Sequence, residues 1–183
     1  MQDNRLIIGE TGSGKTTLIQ ELVLERVNQN PDLSVIWCDL LTQKLLTNLP
    51  IANFRAISLK DEIEVVISDL RVHHPHPTLV VLDGIDSMQL PQYCWDDIEF
   101  FLKEKESNIS FVVAAQSFRS VSLRRRNLFS KMLIGRLARN VQILSILFPG
   151  ANTDELYSQV VNFISEGQRP AILDGELQLL SAR

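Results

Sequence analysis

The sequence predicts an α/β fold: a mainly parallel central sheet with helices on both faces. Three observations carry this. Short apolar runs alternate with longer helical patterns, a glycine-rich loop joins the first strand to the first helix, and the apolar runs ending at Leu82 and Ala115 are each followed by a polar residue.

Leu6-Ile7-Ile8 is the first strand, and the glycine loop follows it. From Lys15 to Asn28 the apolar residues Leu18, Ile19, Leu22, Val23 and Val27 form a helical stripe that ends near Asn30-Pro31. Leu33 to Leu40 reads as a buried strand with Asp39 at its outgoing end, and Phe54 to Ser58 as a short strand. Asp61 to Val72 is a helix, with Ser58 as its N-cap. His73-His74-Pro75-His76-Pro77 breaks the chain, because two prolines cannot continue a helix. Its three histidines have no carboxylate or cysteine beside them, so the segment reads as a solvated connector and not as a metal site. Thr78 to Leu82 is a strand ending at Asp83, Asp96 to Lys105 an amphipathic helix, and Ile109 to Ala115 a strand ending at Gln116. Met132-Leu133-Ile134 and Val141 to Phe148 are two further apolar runs. Thr153 to Ile164 is a helix with Thr153 as N-cap and acids in its first turn. Pro170 to Leu180 reads as a C-terminal β-hairpin turning at Asp174-Gly175.

At 183 residues, with no repeat, linker or low-complexity tract, the chain reads as one domain spanning 1–183. Its 45% hydrophobic fraction excludes a disordered chain, yet no apolar run reaches the ~18 residues of a membrane span. The N-terminus lacks a signal-peptide layout. Cys38 and Cys94, far apart and beside apolar neighbours, read as reduced thiols of a cytoplasmic protein.

The loop Gly9-Glu10-Thr11-Gly12-Ser13-Gly14-Lys15-Thr16 meets the pattern G-x-x-x-x-G-K-[ST] in full, between an apolar strand and an amphipathic helix. Glycines let successive backbone N–H groups point at phosphate, and the positive end of the helix adds to that field. Gly9 to Thr16, with Thr17, are therefore the expected nucleotide-binding residues, for ATP with Mg²⁺. Lys15 reaches the β- and γ-phosphates, and the Thr16 hydroxyl ligates the metal. Asp83, leaving an apolar strand, supplies the carboxylate that such a metal shell needs. Gly84 stands where many hydrolytic relatives carry a glutamate that orients water. Asp86 and Glu10 are the candidate substitutes for it. Gln116, at the end of a central strand, is a candidate to sense the γ-phosphate or to orient water.

Charge is unevenly distributed. Between Ser107 and Thr153 there is no Asp or Glu, but there are Arg119, Arg124, Arg125, Arg126, Lys131, Arg136 and Arg139. That stretch is +7; with −4 for the whole chain, the remainder is −11. The asymmetry suggests a face that meets phosphate or an acidic neighbour, the alternative being solvated helix faces.

Together these motifs resemble the FtsK/HerA superfamily of RecA-like motor ATPases. The matching residues are the loop Gly9 to Thr16, the strand Val35-Ile36-Trp37-Cys38-Asp39, the strand end Ala114-Ala115-Gln116, the segment Lys131 to Leu137 and the closing hairpin. Two departures stand out: Asp83-Gly84 replaces an acidic pair, and Ser117-Phe118 precede Arg119 where an arginine directly follows the glutamine. The family's N-terminal domains have no counterpart here, which implies a minimal motor or the core of a larger one. The resemblance implies a RecA-like domain and a hexameric ring. An arginine from one subunit would complete the next subunit's site, with Arg136, Arg119 and the Arg124–Arg126 run as candidates. It also implies DNA translocation or transfer, with DNA held by its backbone and little sequence preference. Two other readings stay open: a nucleotide-binding assembly subunit with little or no turnover, and a secretion- or pilus-type motor acting on protein.

Overall fold

The computed structural model describes residues 4–40, 50–71, 76–104 and 106–180. Among these, eight strands form one sheet: β1 (Arg5–Ile8), β2 (Ser34–Cys38), β3 (Phe54–Ile57), β4 (Thr78–Asp83), β5 (Ile109–Ala115), β6 (Ser130–Ile134), β7 (Arg169–Leu173) and β8 (Glu176–Leu180). Their order is β3-β2-β4-β5-β1-β6-β7-β8. The first six in that order are parallel, and β7 and β8 join as an antiparallel hairpin against β6. Strand β1 is thus central, with β5 on one side and β6 on the other. The outgoing ends of β1, β4, β5 and β6 open onto one rim, where ligands bind in sheets of this kind.

The helices are α1 (Lys15–Gln29), α2 (Lys60–Asp69), α3 (Ile85–Met88), α4 (Gln92–Lys103), α5 (Leu123–Arg126), α6 (Val141–Leu147) and α7 (Thr153–Ser165), with 3₁₀ turns at Phe118–Ser120 and Gly135–Arg139. Because strand side chains alternate between faces, the core divides in two. On one face Ile7, Trp37, Val81, Val112 and Met132 pack against Leu18, Ile19, Leu22 and Val23 of α1. On the other, Leu6, Ile8, Cys38, Leu82, Phe111 and Val113 lie under α2, α4, α6 and α7. β4 is buried at all six positions, as a central parallel strand covered on both faces must be.

Several boundaries differ from the sequence expectation, each for a local reason. α4 begins at Gln92 instead of Asp96, because Pro91 supplies an extended entry and Cys94, Trp95, Ile98 and Phe101 already form the buried stripe. α2 begins at Lys60 behind Leu59 with no side-chain cap, so Ser58 is not its N-cap. α7 is capped by Asn152 and not Thr153: the Asn152 carboxamide oxygen accepts from the Glu155 N–H at 3.3 Å. The apolar run from Val141 forms a helix capped by Asn140, burying Leu144 and Leu147 one turn apart. Met132 to Ile134 lies in β6. The hairpin turns at Asp174-Gly175 as expected, with φ of 43° and 94° matching a two-residue turn of the hairpin-favouring hand. α2 ends at Asp69 and not at Val72, with Leu70 as its C-cap; Val72, residues 73–75 of the histidine connector and Lys105 lie outside the described residues.

Cys38 and Cys94 are both buried free thiols. Burial pushes Cys38 up to about 12 and Cys94 up to about 11, which leaves them inert. No helix among the described residues is long and apolar enough to cross a membrane.

Candidate functional site

The glycine loop leaves β1 and enters α1 through Gly14, whose φ of 91° only glycine adopts readily. Gly9 is required by space: a Cβ there would sit 2.6 Å from Ser13 Oγ and 2.8 Å from the Ile134 side chain of neighbouring β6. The first turn of α1 carries no acidic residue. The positive end of a 15-residue helix, with the first N–H groups lacking intrahelical acceptors, therefore faces the loop.

Lys15 is half-buried and donates from Nζ to the carbonyl oxygens of Gly9 (2.6 Å) and Glu10 (3.0 Å). Burial, the largest influence, lowers its pKa, while the charges of Asp83, Asp86 and Glu10 act the other way. The Thr16 hydroxyl donates to Asp83 Oδ2 at 2.8 Å. Asp83 ends β4, two strands from β1 with β5 between, so this bond ties the loop to the strand end that sequence reasoning paired with it. Burial raises the Asp83 pKa, and neighbouring Asp39 raises it further. Asp39 follows Cys38, which registers with Leu82, so Asp39 comes level with Asp83 on the face of the sheet that α1 covers. Two hard oxygen donors 2.8 Å apart, one of them a buried carboxylate beside a second acid, fit a divalent cation of the magnesium class.

The two candidate substitutes for a glutamate at 84 are both engaged. Glu10 Oε1 accepts from the Arg136 N–H at 2.6 Å and Oε2 from the Leu137 N–H at 3.3 Å. An acid in a phosphate loop is thereby turned away onto the 3₁₀ turn that follows β6. Asp86 Oδ2 accepts from the Gln116 N–H at 2.6 Å, and Oδ1 accepts from the Ser120 hydroxyl. Gln116 is exposed at the end of β5, on the same rim as the loop.

The basic stretch is less uniform in space than in sequence. Arg124 Nη2 and Arg125 Nε bind the two oxygens of buried Glu99 at 3.0 and 3.1 Å, and Lys103 joins them at 3.3 Å. Arg125 also stacks over Trp95 at 4.5 Å. Arg126 is buried over the Phe118 ring at 5.3 Å, its Nε and Nη1 without hydrogen-bond partners among the described residues. Lys131 faces Asp174 at 4.0 Å. Arg119, Arg136 and Arg139 remain exposed; Arg119 follows β5 and Arg136 follows β6, so they flank the strand that bears the loop.

Sequence reasoning passed over Glu99 and Ser120 and gave Asp39 no role. Glu99 carried a signal, an acid inside the apolar stripe of α4, and Asp39 another, a strand-terminal position like that of Asp83. Ser120 carried none, since only the turn after β5 brings it to Asp86.

No family model and no curated protein sequence matches the chain. Solved structures do. The genome packaging NTPase B204 from Sulfolobus turreted icosahedral virus 2, in complex with AMPPCP, aligns with a TM-score of 0.68 at 12% identity, covering 100% of this chain and 98% of that one. The pCW3 conjugation coupling protein TcpA, with ATPγS, aligns at 0.66 and 14% identity, covering 99% of this chain and 60% of that one. The cytoplasmic domain of EssC aligns at 0.58 and 22% identity over 72% of this chain and 30% of that one. With its mostly parallel eight-stranded sheet and its phosphate loop after the central β1, the chain has the fold of these nucleotide-bound structures.

Proposed function

We propose that this chain is a cytoplasmic, single-domain ATP-binding motor that couples hydrolysis to DNA translocation or transfer as a ring oligomer, hexameric as the resemblance implies. The observation that carries the reading is the Thr16–Asp83 hydrogen bond, which joins a complete phosphate loop to a buried strand-end carboxylate. Loop residues Gly9 to Thr17 hold the triphosphate, and Lys15 turns from the loop carbonyls to the β- and γ-phosphates. Thr16 and Asp83 would hold Mg²⁺, which when bound neutralises phosphate charge. Gln116 orients the attacking water; the new P–O bond forms as the bond between the β-bridging oxygen and the γ-phosphorus breaks, and the water proton leaves with phosphate. Arg136 from an adjacent copy is the proposed finger that meets the charge of the transferred group, with Arg119 as the alternative.

The structural neighbours support a motor, since their names include a genome packaging NTPase and a conjugation coupling protein. Exposed Arg119, Arg136 and Arg139 favour a phosphate backbone as the substrate that is moved. DNA binding followed across a salt series, with particle mass measured with and without nucleotide, tests this. The expectation is a nucleotide-dependent oligomer that binds double-stranded DNA with steep salt dependence. A monomer that binds ATP but no DNA at any salt would refute it. Gly84 favours a second reading, an assembly subunit with weak or no turnover, and steady-state hydrolysis separates the two.

A further inference from the structure

We propose that Asp86 is a positioning residue: it clamps both ends of the 116–120 loop and so sets Gln116 over the nucleotide site. The proposal rests on the ATPase reading above and gives this carboxylate a role other than general base.

The argument begins at Gly84. Its φ of 81° and ψ of 49° are left-handed, and a Cβ there would meet only Ser87 Oγ at 3.5 Å. Backbone conformation, not space, therefore makes glycine the fitting residue. The turn is closed on Gly84 O by Ser87 N (3.0 Å) and Ser87 Oγ (2.7 Å). It starts α3 immediately after β4 and directs Asp86 sideways to β5, the strand paired with β4 through Asp83 and Ala114. There one carboxylate oxygen accepts the Gln116 N–H at 2.6 Å and the other accepts the Ser120 hydroxyl. Hydrogen bonds from backbone N–H to an ionised carboxylate are among the stronger ones. The Gln116 peptide plane is thus fixed by a charged acceptor, while its side chain stands exposed at the rim. A carboxylate with both oxygens engaged is badly placed to take a proton from water, but well placed to hold the residue that orients it. Without the clamp, Gln116 is one residue beyond β5 on a loop that makes no ladder bond.

The test compares Asp86→Ala, Asp86→Asn and wild type. Asn keeps an acceptor for the Gln116 N–H and cannot act as a base. In Asp86→Ala, kcat should fall roughly 10–100-fold with the KM for ATP within about 3-fold, as expected when a reacting group is displaced by about an ångström. Asp86→Asn should recover the rate to within about 10-fold of wild type and keep the wild-type pH profile. Amide exchange supplies a readout independent of turnover: exchange at Gln116 should speed up at least ~10-fold in Asp86→Ala and return toward wild type in Asp86→Asn. The proposal is overturned if Asp86→Asn is as slow as Asp86→Ala and loses the acid limb of the profile. It is equally overturned if Gln116 exchange is unchanged in Asp86→Ala. A wild-type protein without turnover would refute the ATPase reading instead, and the exchange comparison would still decide the clamp.

Discussion

Asp83 and Glu99 are both buried acids, 6% and 5% exposed, yet their surroundings act in opposite directions. Glu99 is met by Arg124, Arg125 and Lys103. Burial is the largest single influence on it and acts upward, but the bonds from Arg125 and Lys103 and the charge of Arg124 outweigh it, holding the carboxyl below the usual range. Asp83 has one hydroxyl donor, the more distant charge of Lys15 and a second acid beside it, and its carboxyl is raised. A buried charge compensated by its own chain is structural; one left short of positive charge at a strand end beside a phosphate loop is prepared for a cation from outside.

Four substitutions test that contrast, starting with the largest effect. Lys15→Ala should lower ATP hydrolysis on the order of 10²–10³-fold, the scale for removing a donor to transition-state charge, with the fold retained by circular dichroism. Glu99→Ala should cost about 1–2 kcal/mol of stability, because Arg125 loses its partner in a largely buried position while Arg124 and Lys103 stay in solvent, and the Kd for ATP stays at the wild-type value in an equilibrium binding assay. Asp83→Asn should abolish Mg²⁺-dependent turnover yet raise the Tm of the nucleotide-free protein, a gain on the order of 1 kcal/mol by the usual trade of activity against stability.

The smallest effect is the pH dependence, and its sign differs between the two acids. A raised folded pKa means that folded Asp83 binds its proton more tightly than the unfolded chain does. Its ionisation therefore destabilises as pH rises from the ordinary carboxylate range through the raised value, and Asp83→Asn removes that loss. A depressed folded pKa means that Glu99 stabilises above the ordinary range, and that contribution disappears as pH falls through the lowered value. Urea midpoints followed from neutral to acid pH should thus fall less steeply in Glu99→Gln and more steeply in Asp83→Asn than in wild type.

Much of this could be read from the residues alone. The strand-loop-helix around Gly9 to Thr16, β4 running into Asp83, and the Asp174-Gly175 hairpin all rest on local chemistry, the conformations of glycine and the burial of unbroken apolar runs. What escaped depended on partners distant in sequence. Glu10 bonds to residues 126 and 127 positions later, and Asp86 to residues 30 and 34 later, so neither could be given a geometry from spacing. The arginines between 119 and 139 looked like one basic face. Glu99 and Phe118 in fact draw Arg125 and Arg126 inward and Glu99 pairs with an exposed Arg124, leaving Arg119, Arg136 and Arg139 as surface arginines. Composition reports charge, but only packing shows which charges are already compensated.

The most direct test of the motor reading is the steady-state rate of ATP hydrolysis with Mg²⁺, measured with and without double-stranded DNA. A rate that rises with DNA, falls with added salt and drops on the order of 10²–10³-fold in Lys15→Ala is the predicted result. A rate indifferent to DNA, or one undiminished in Lys15→Ala, would contradict it.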